Sequence, residues 1–418
     1  MSEFKTLKSI TSKIGSGATP RGGSQVYQDN GTSFIRSQNV QDMHFSKNGL
    51  VFLNDEQAEQ LKGVTVKASD VLLNITGDSI ARSCLVPDEM LPARVNQHVS
   101  IIRCKNSKDA EYVAYYLQFL KPYLLQICKV GGTRNALTKD AIENLKVNFL
   151  EDRHARGSLL ASIDKKIELN NRINAELEAM AKTLYDYWFV QFDFPDDSPQ
   201  RKGKPYKSSG GKMVYNPILK REIPEGWGVK KLSEIAMTGS GGTPLSSNPE
   251  FYENGTIPWI NSGELNSQFI VSTSNFITEL GLEKSSAKLC PKNTILMAMY
   301  GATAGKVSFI DFPATTNQAI CTINPFDQEM NVYLKFTLER LYQYLINLSS
   351  GSARDNLSQD KIKSLDVVIP APSALTQFHE FTKSKMELIL TSLKENQELT
   401  SLRDWLLPML MNGQVTVK

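Results

Sequence analysis

The 418-residue chain contains no long hydrophobic run. No stretch approaches the roughly 20 consecutive apolar residues needed to span a bilayer, so a membrane partner is not expected. The opening stretch, MSEFKTLKSITSK, also lacks a hydrophobic signal segment, and a cytoplasmic location is expected. Cysteine is scarce: Cys84, Cys104, Cys128, Cys290 and Cys321 are odd in number and show no C-x-x-C spacing. That pattern argues against a disulfide framework and against a zinc site. The histidines, His44, His98, His154 and His379, are isolated in sequence and make poor ligands or general bases. Charge of one sign is lacking too. With a net charge of +3, an anionic partner must be met by local basic clusters and not by a global field. What remains is ordinary: 41% hydrophobic and 22% charged residues suffice for normal cores in two or three domains.

Two stretches stand out as copies of one pattern. Residues 159–188 carry Leu159, Ile163, Ile167, Leu177, Met180, Leu184 and Trp188 at helical steps. Residues 385–410 carry Ile389, Leu393, Leu399, Leu402, Leu406 and Leu410 in the same way. Each reads as a long amphipathic helix with a narrow apolar seam. Both contain the tetrad N-x-E-L, beginning at Asn174 and at Asn396. An Asn on or beside an apolar seam costs stability but fixes register and partner choice. The two helices are expected to pair with each other; the alternative is that each packs on its own domain.

The duplication extends through the chain. G-S-G-A-T-P at 15–20 recurs as G-S-G-G-T-P at 239–244, an offset of 239 − 15 = 224. I-R-S at 35–37 returns as I-N-S at 260–262, and V-L-L-N-I-T-G at 71–77 as I-L-M-A-M-Y-G at 295–301. N-Q at 96–97 matches 317–318, and G-G-T-R-N-A-L-T at 131–138 matches G-S-A-R-D-N-L-S at 351–358. Landmarks in one order at nearly constant offset mean a tandem repeat. Between them the copies differ almost completely, as two similar modules reading different targets would.

The spacing predicts β-rich runs at 71–75, 98–103 and 146–149 and a helical lobe at 110–130, with its counterpart at 331–349. The fold expected is α+β: two tandem-repeat α/β target-recognition domains, 1–152 and 228–373. Two long helices would separate them, 153–190 and, with the C-terminal tail, 374–418. Residues 191–227, rich in Pro, Gly, Ser and Lys, form an aperiodic connector. If the helices pair as an antiparallel coiled coil, the chain is pseudo-two-fold symmetric. About 30 helical residues make a spacer of roughly 45 Å. That compares with about 34–36 Å for one turn of DNA. Such a rod would set apart two half-sites with an unread gap.

Candidate chemistry falls short. G-A-T-A-G-K at 301–306 is one residue short of a phosphate loop, and Val307 stands where a magnesium-binding hydroxyl is needed. N-P-F at 324–326 is only part of an amino-methyltransferase motif. No catalytic or metal-ligating set is read. A fused methyltransferase would need a cofactor loop and a complete N-P-P-[YF] motif. A third reading, a general coiled-coil interaction protein, leaves the basic and amide-rich turns unexplained.

Those turns fit duplex DNA. In the first copy they carry Arg21, Arg36, Gln38, Asn39, Arg82, Asn96, Gln97, Arg134 and Asn135; in the second, Asn261, Lys306, Asn317, Gln318, Arg354 and Asn356. Arg and Lys neutralise phosphates and address guanine, while Asn and Gln can grip adenine. Residues common to both modules suit backbone positioning, and the dissimilar stretches 27–30, 44–48, 246–252 and 266–274 suit base reading. For each residue, a solvated loop side chain is the competing reading.

With its G-S-G-x-T-P openings, G-x-x-R-x-x-L-[ST] closings, the connector GKPYKSSGGKM…LKREIPEGW and the ending LRDWLLPMLMNGQV, the chain resembles the specificity subunit of type I restriction-modification systems over essentially its full length. The resemblance implies a non-catalytic subunit that binds no cofactor itself. It also implies two modification subunits, which hold S-adenosylmethionine and methylate adenine, and restriction subunits that translocate and cut DNA using ATP and Mg. The long helices would serve as spacer and docking surface.

Overall fold

The structure, a computed structural model, describes residues 3–128, 136–300, 303–348 and 358–417, with side chains left out over 343–348. Among the described residues no helix is long and apolar enough to cross a membrane. The chain divides into two compact units, residues 1–168 with 396–418, and residues 169–395.

The first unit is built around the strand Val71–Asn74, whose residues are all buried. Val99–Cys104 and Ser83–Leu85 flank it antiparallel, and Thr11–Ser16 extends the sheet beyond Val99–Cys104. Successive strand side chains point to opposite faces, so an unbroken apolar run must be covered on both. Val71 and Leu73 pack with the helix Ala110–Phe119, through Tyr112, Val113 and Tyr116. Leu72 faces the other way, into a cluster with Ile35, Val66, Ala93 and Val95 from a second sheet. That sheet is ordered Val51–Leu53, Thr32–Ile35, Ala93–Val95, Thr65–Val66.

The second unit repeats this plan. Ile295–Ala298 is the central strand; Ile295 and Met297 join one core and Leu296 and Ala298 another. Its neighbours are Ile320–Pro325 and Val307–Ile310, with Ala236–Ser240 and Phe269–Ile270 at the edges. The helix Met330–Leu348 covers one face. Each module closes with a short antiparallel pair, Phe4–Thr6 with Lys146–Asn148 and Gly228–Lys231 with Asp366–Ile369. The α+β reading and the two-copy organisation hold.

The long helices are Arg153–Tyr185, continued by a π-turn over Asp186–Val190, and Pro372–Met411, with Pro408 in its last turn. Within the first unit, Asp164 Oδ1 accepts from Arg403 Nη1 at 2.7 Å, and the buried Arg156 guanidinium donates to the Leu410 carbonyl. Within the second, Asn170 Nδ2 donates to Glu395 Oε2 at 2.7 Å, and Trp188 and Tyr185 meet Phe378. In both units, advancing along one helix means retreating along the other.

The seam differs from the expected one. Ile163, Trp188, Ile389 and Leu410 are buried, as are Asn174 and Asn396; Ile167, Leu177, Leu184, Leu393, Leu399 and Leu406 are half-buried. Met180 and Leu402, however, are 52% and 44% exposed. The buried places beside them go to Ala181 and, partly, to Arg403. At 100° per residue, one step carries Met180 and Leu402 off the line. Size misled the sequence reading, because a small Ala and an ion-paired Arg occupy the seam.

The connector is also more than a spacer. Residues 191–227 form two hairpins, Pro195–Asp196 with Lys204–Pro205 and Met213–Asn216 with Arg221–Pro224. Phe194 stacks with Tyr206 at 4.8 Å and with Trp227 at 4.9 Å. Phe192, Phe194 and Trp227 belong to the same core as Tyr185, Trp188 and Phe378.

Ile389→Ala is expected to destabilise the protein by about 2–4 kcal/mol through its cavity. Met180→Ser and Leu402→Ser should each stay within about 0.5 kcal/mol. Chemical denaturation of the three variants checks this; a large loss at Met180 or Leu402 would contradict the seam described.

Candidate nucleic-acid interface

In the first module, Ser16, Ile35, Asn74 and Val95 end their strands and Ser83 and Val99 begin theirs at the same end of the structure. The loops 36–49, 75–82 and 96–98 converge there. Asn74 Nδ2, at the end of its strand, ties the first of them down, donating to the carbonyls of Ser37 at 2.9 Å and Val40 at 3.1 Å.

What holds this end together is a close approach. A methyl group on Gly17 would lie 2.0 Å from the Val95 carbonyl oxygen and 2.3 Å from that of Asn96. One on Gly241 would lie 2.2 Å from the Asn317 oxygen and 2.3 Å from that of Thr316. The hydrogen bonds across the contact correspond: Ala18 N to Val95 O at 3.0 Å, Gly242 N to Thr316 O at 2.8 Å. The turn below it corresponds too. Asn96 Oδ1 accepts from His98 N at 3.2 Å, and Asn317 Oδ1 from Ala319 N at 3.1 Å. Two landmarks of the repeat, G-S-G and N-Q, are therefore the two sides of one backbone contact.

Several residues expected to face DNA are used by this frame. Asn39 is fully buried; its amide caps Arg36 N at 3.0 Å and holds the carbonyls of Ser46 and Asn48. Asn96 is 8% exposed. Asn39 is corrected to a structural role, since a buried, satisfied amide has no edge left for a base, while Asn96 spends its oxygen on the turn. Asn261 and Asn317 are half-buried and bonded to each other at 3.2 Å. Arg36 donates to the Gly49 carbonyl and lies over the Tyr27 ring, and Gln38 Nε2 reaches the same carbonyl at 3.1 Å. They stitch down the loop 44–49, where His44, Lys47 and Asn48 are exposed. Arg134, Asn135, Arg354 and Asn356 lie outside the described residues.

Other residues stay available. Arg21, Gln97, Lys306 and Gln318 are exposed, and Arg82 is half-buried. Arg82 Nη1 donates to Gln41 Oε1 at 2.7 Å, while Lys306 Nζ donates to Asn266 Oδ1 at 3.0 Å. The two pairs are equivalent: 306 − 82 = 224 and 266 − 41 = 225, and Arg82 O and Lys306 O accept from Asn74 N and Ala298 N respectively. A cation held by an amide thus recurs at one place in both modules. The sequence reading included the cations and missed the partnership, because the amides sit in stretches that otherwise do not match. Gln97 Nε2 adjoins His98 at 3.2 Å, and Gln318 Oε1 accepts from Thr243 Oγ1.

Burial pushes the Cys84 thiol, two residues from Arg82, up to about 12, and does the same to Cys104 and Cys321. Such thiols are inert at neutral pH.

A family model described as "Type I restriction modification DNA specificity domain" matches the chain twice, over residues 2–179 and 224–400. The HindI type I restriction enzyme specificity subunit of Haemophilus influenzae is 28% identical over 339 residues, covering 68% of this chain and 72% of that protein. The MjaIX specificity subunit of Methanocaldococcus jannaschii is 27% identical over 338 residues, covering 78% and 74%. The crystal structure of a type I restriction-modification system S subunit from M. genitalium shares the fold, with a TM-score of 0.59 at 14% identity, covering 98% of this chain and 96% of that one.

Gly17→Ala and Gly241→Ala should each cost about 1–3 kcal/mol or more, because backbone must move to admit the methyl. Hydrogen exchange should show the loss in the unit carrying the substitution; uniform exchange in both would contradict the contact.

Proposed function

The chain belongs to the type I restriction-modification DNA specificity family and is a specificity subunit with two recognition domains, and from that premise we propose that residues 1–152 and 228–373 each read one half of a bipartite duplex target. The observation that carries this is the cation–amide pair at one place on two matching frames, Arg82–Gln41 and Lys306–Asn266. A basic group suits phosphate or guanine, and an adjoining amide suits adenine. Around each pair the side chains differ, as readers of unlike half-sites require. Arg21, Gln97 and Gln318 complete the surface we assign to DNA.

The two long helices act in this reading as one antiparallel coiled coil, giving the chain a pseudo-two-fold axis and setting the gap between half-sites. Opposite contact order in each unit supports that pairing. Exposed apolar residues recur along the helices at the repeat interval: Met180 with Leu402, and Leu159 with Phe381, where 402 − 180 = 381 − 159 = 222. Matching patches suit two copies of one partner, and we assign them to two modification subunits. Those subunits would bind S-adenosylmethionine and methylate adenine, and restriction subunits would bring ATP and Mg. This chain performs no catalysis in the scheme, and a cytoplasmic location follows from it.

The test is an assembly of this chain with its modification subunits, followed by mapping of methylated adenines in DNA. A two-part motif with a fixed gap is expected, and no methyl transfer from labelled S-adenosylmethionine by the chain alone. Transfer by the chain alone, or a contiguous motif, would overturn the proposal. Arg82→Gln and Lys306→Gln should each flatten the slope of log affinity against log salt by about 0.9. Unchanged slopes in both would remove these residues from the phosphate contacts.

A further inference from the structure

Each module is fastened to the long helices by buried polar side chains. In the second unit, Lys335 on helix Met330–Leu348 is 1% exposed. Its ammonium donates to Glu178 Oε1 of the first long helix at 2.9 Å and to Gln268 Oε1 at 2.6 Å. It also pairs with Glu339, one turn along its own helix, at 3.0 Å. Gln268, 4% exposed, turns its amide to Met386 Sδ of the second long helix at 3.4 Å. A second link joins Asp311, beside the strand Val307–Ile310, to Lys394 of the second long helix and to Lys292 at 2.6 Å.

The first unit has a counterpart at the same helix position, Tyr115, where 335 − 115 = 220. The Tyr115 hydroxyl donates to Asp164 Oδ2 of the first long helix at 2.5 Å. The other oxygen of that carboxylate accepts from Arg403 Nη1 of the second long helix at 2.7 Å. Again one position on the module's helix is tied to both long helices, with different chemistry.

A buried lysine is a poor way to gain stability. Its desolvation offsets much of the attraction to its partners, and an apolar residue of similar volume is often at least as stabilising. What the ammonium adds is direction. An apolar contact tolerates sliding and rotation, whereas three donors aimed at acceptors on separate elements do not. Gln268 also lies two residues from Asn266, the amide that holds Lys306, so the fastening is continuous with the DNA-facing pair.

We propose that Lys335 and Tyr115 are positioning residues that fix the orientation of each recognition module on the long helices and thereby the number of unread base pairs between half-sites. The inference rests on the reading of the chain as a two-half-site specificity subunit.

The assembly with modification subunits is tested on the mapped target and on versions with one base pair added to or removed from the gap. Wild type should favour the native gap by at least about tenfold, as misplacement of reacting groups by about 1 Å can cost a hundredfold. Lys335→Met should keep native-gap methylation within about threefold of wild type while its preference over the altered gaps falls to about threefold. A uniform loss of methylation on all three targets would make Lys335 merely structural and overturn the proposal, as would an unchanged preference. If Lys335→Met fails to fold, Tyr115→Phe, which removes one oxygen, must relax the preference; no change there overturns the proposal equally. A wild-type assembly with no bipartite target would instead refute the two-half-site reading, leaving the anchors as fold contacts.

Discussion

Backbone meets backbone where Gly17 passes Val95 and Asn96, and again where Gly241 passes Thr316 and Asn317, with no room for a side chain between. That contact closes the strands Thr11–Ser16 and Ala236–Ser240 against the turns entering Val99–Cys104 and Ile320–Pro325. The ends of the remaining strands are ordered around it, and with them the loops that carry Arg82 and Gln41, or Lys306 and Asn266. Because the contact is made by main chain, it is indifferent to what the loops contain. A module can therefore change its outward chemistry without changing the frame that presents it.

The long helices show a related division of labour. Their apolar positions supply association, while charged and amide groups within them, Asp164, Arg403, Asn170 and Glu178, choose which neighbour is met and in what direction. Hydrophobic burial is non-directional, and polar groups in low-dielectric surroundings are costly unless aligned. The two kinds of contact are thus complementary within each unit.

Much of this was legible in the sequence, for reasons visible in particular residues. The repeat could be read because its landmarks answer to backbone requirements that few residue types satisfy: a glycine at 17 and 241, an Asx turn at 96 and 317. The central strands could be read from unbroken apolar runs. The uses of Asn39 and Asn96 could not, since an asparagine that caps a turn and one that reads a base are the same letter. Met180 and Leu402 were misplaced because a helical pattern scored by size passes over Ala181 and Arg403. The pairing of Arg82 with Gln41 joins residues from different loops, and no local spacing announces it. Stacked rings at 194, 206 and 227 have no period either, so the connector resembled slack chain.

Those rings carry a genealogical consequence. Phe194 stacks with both Tyr206 and Trp227, and all three share a core with Trp188 and Phe378. The segment after the first long helix therefore belongs structurally with the second half of the chain. Two parent genes exchanging halves would keep these rings together when the crossover falls before Tyr185, within the helix. A crossover further on would pair rings from different ancestors and leave the hybrid with a mismatched stack.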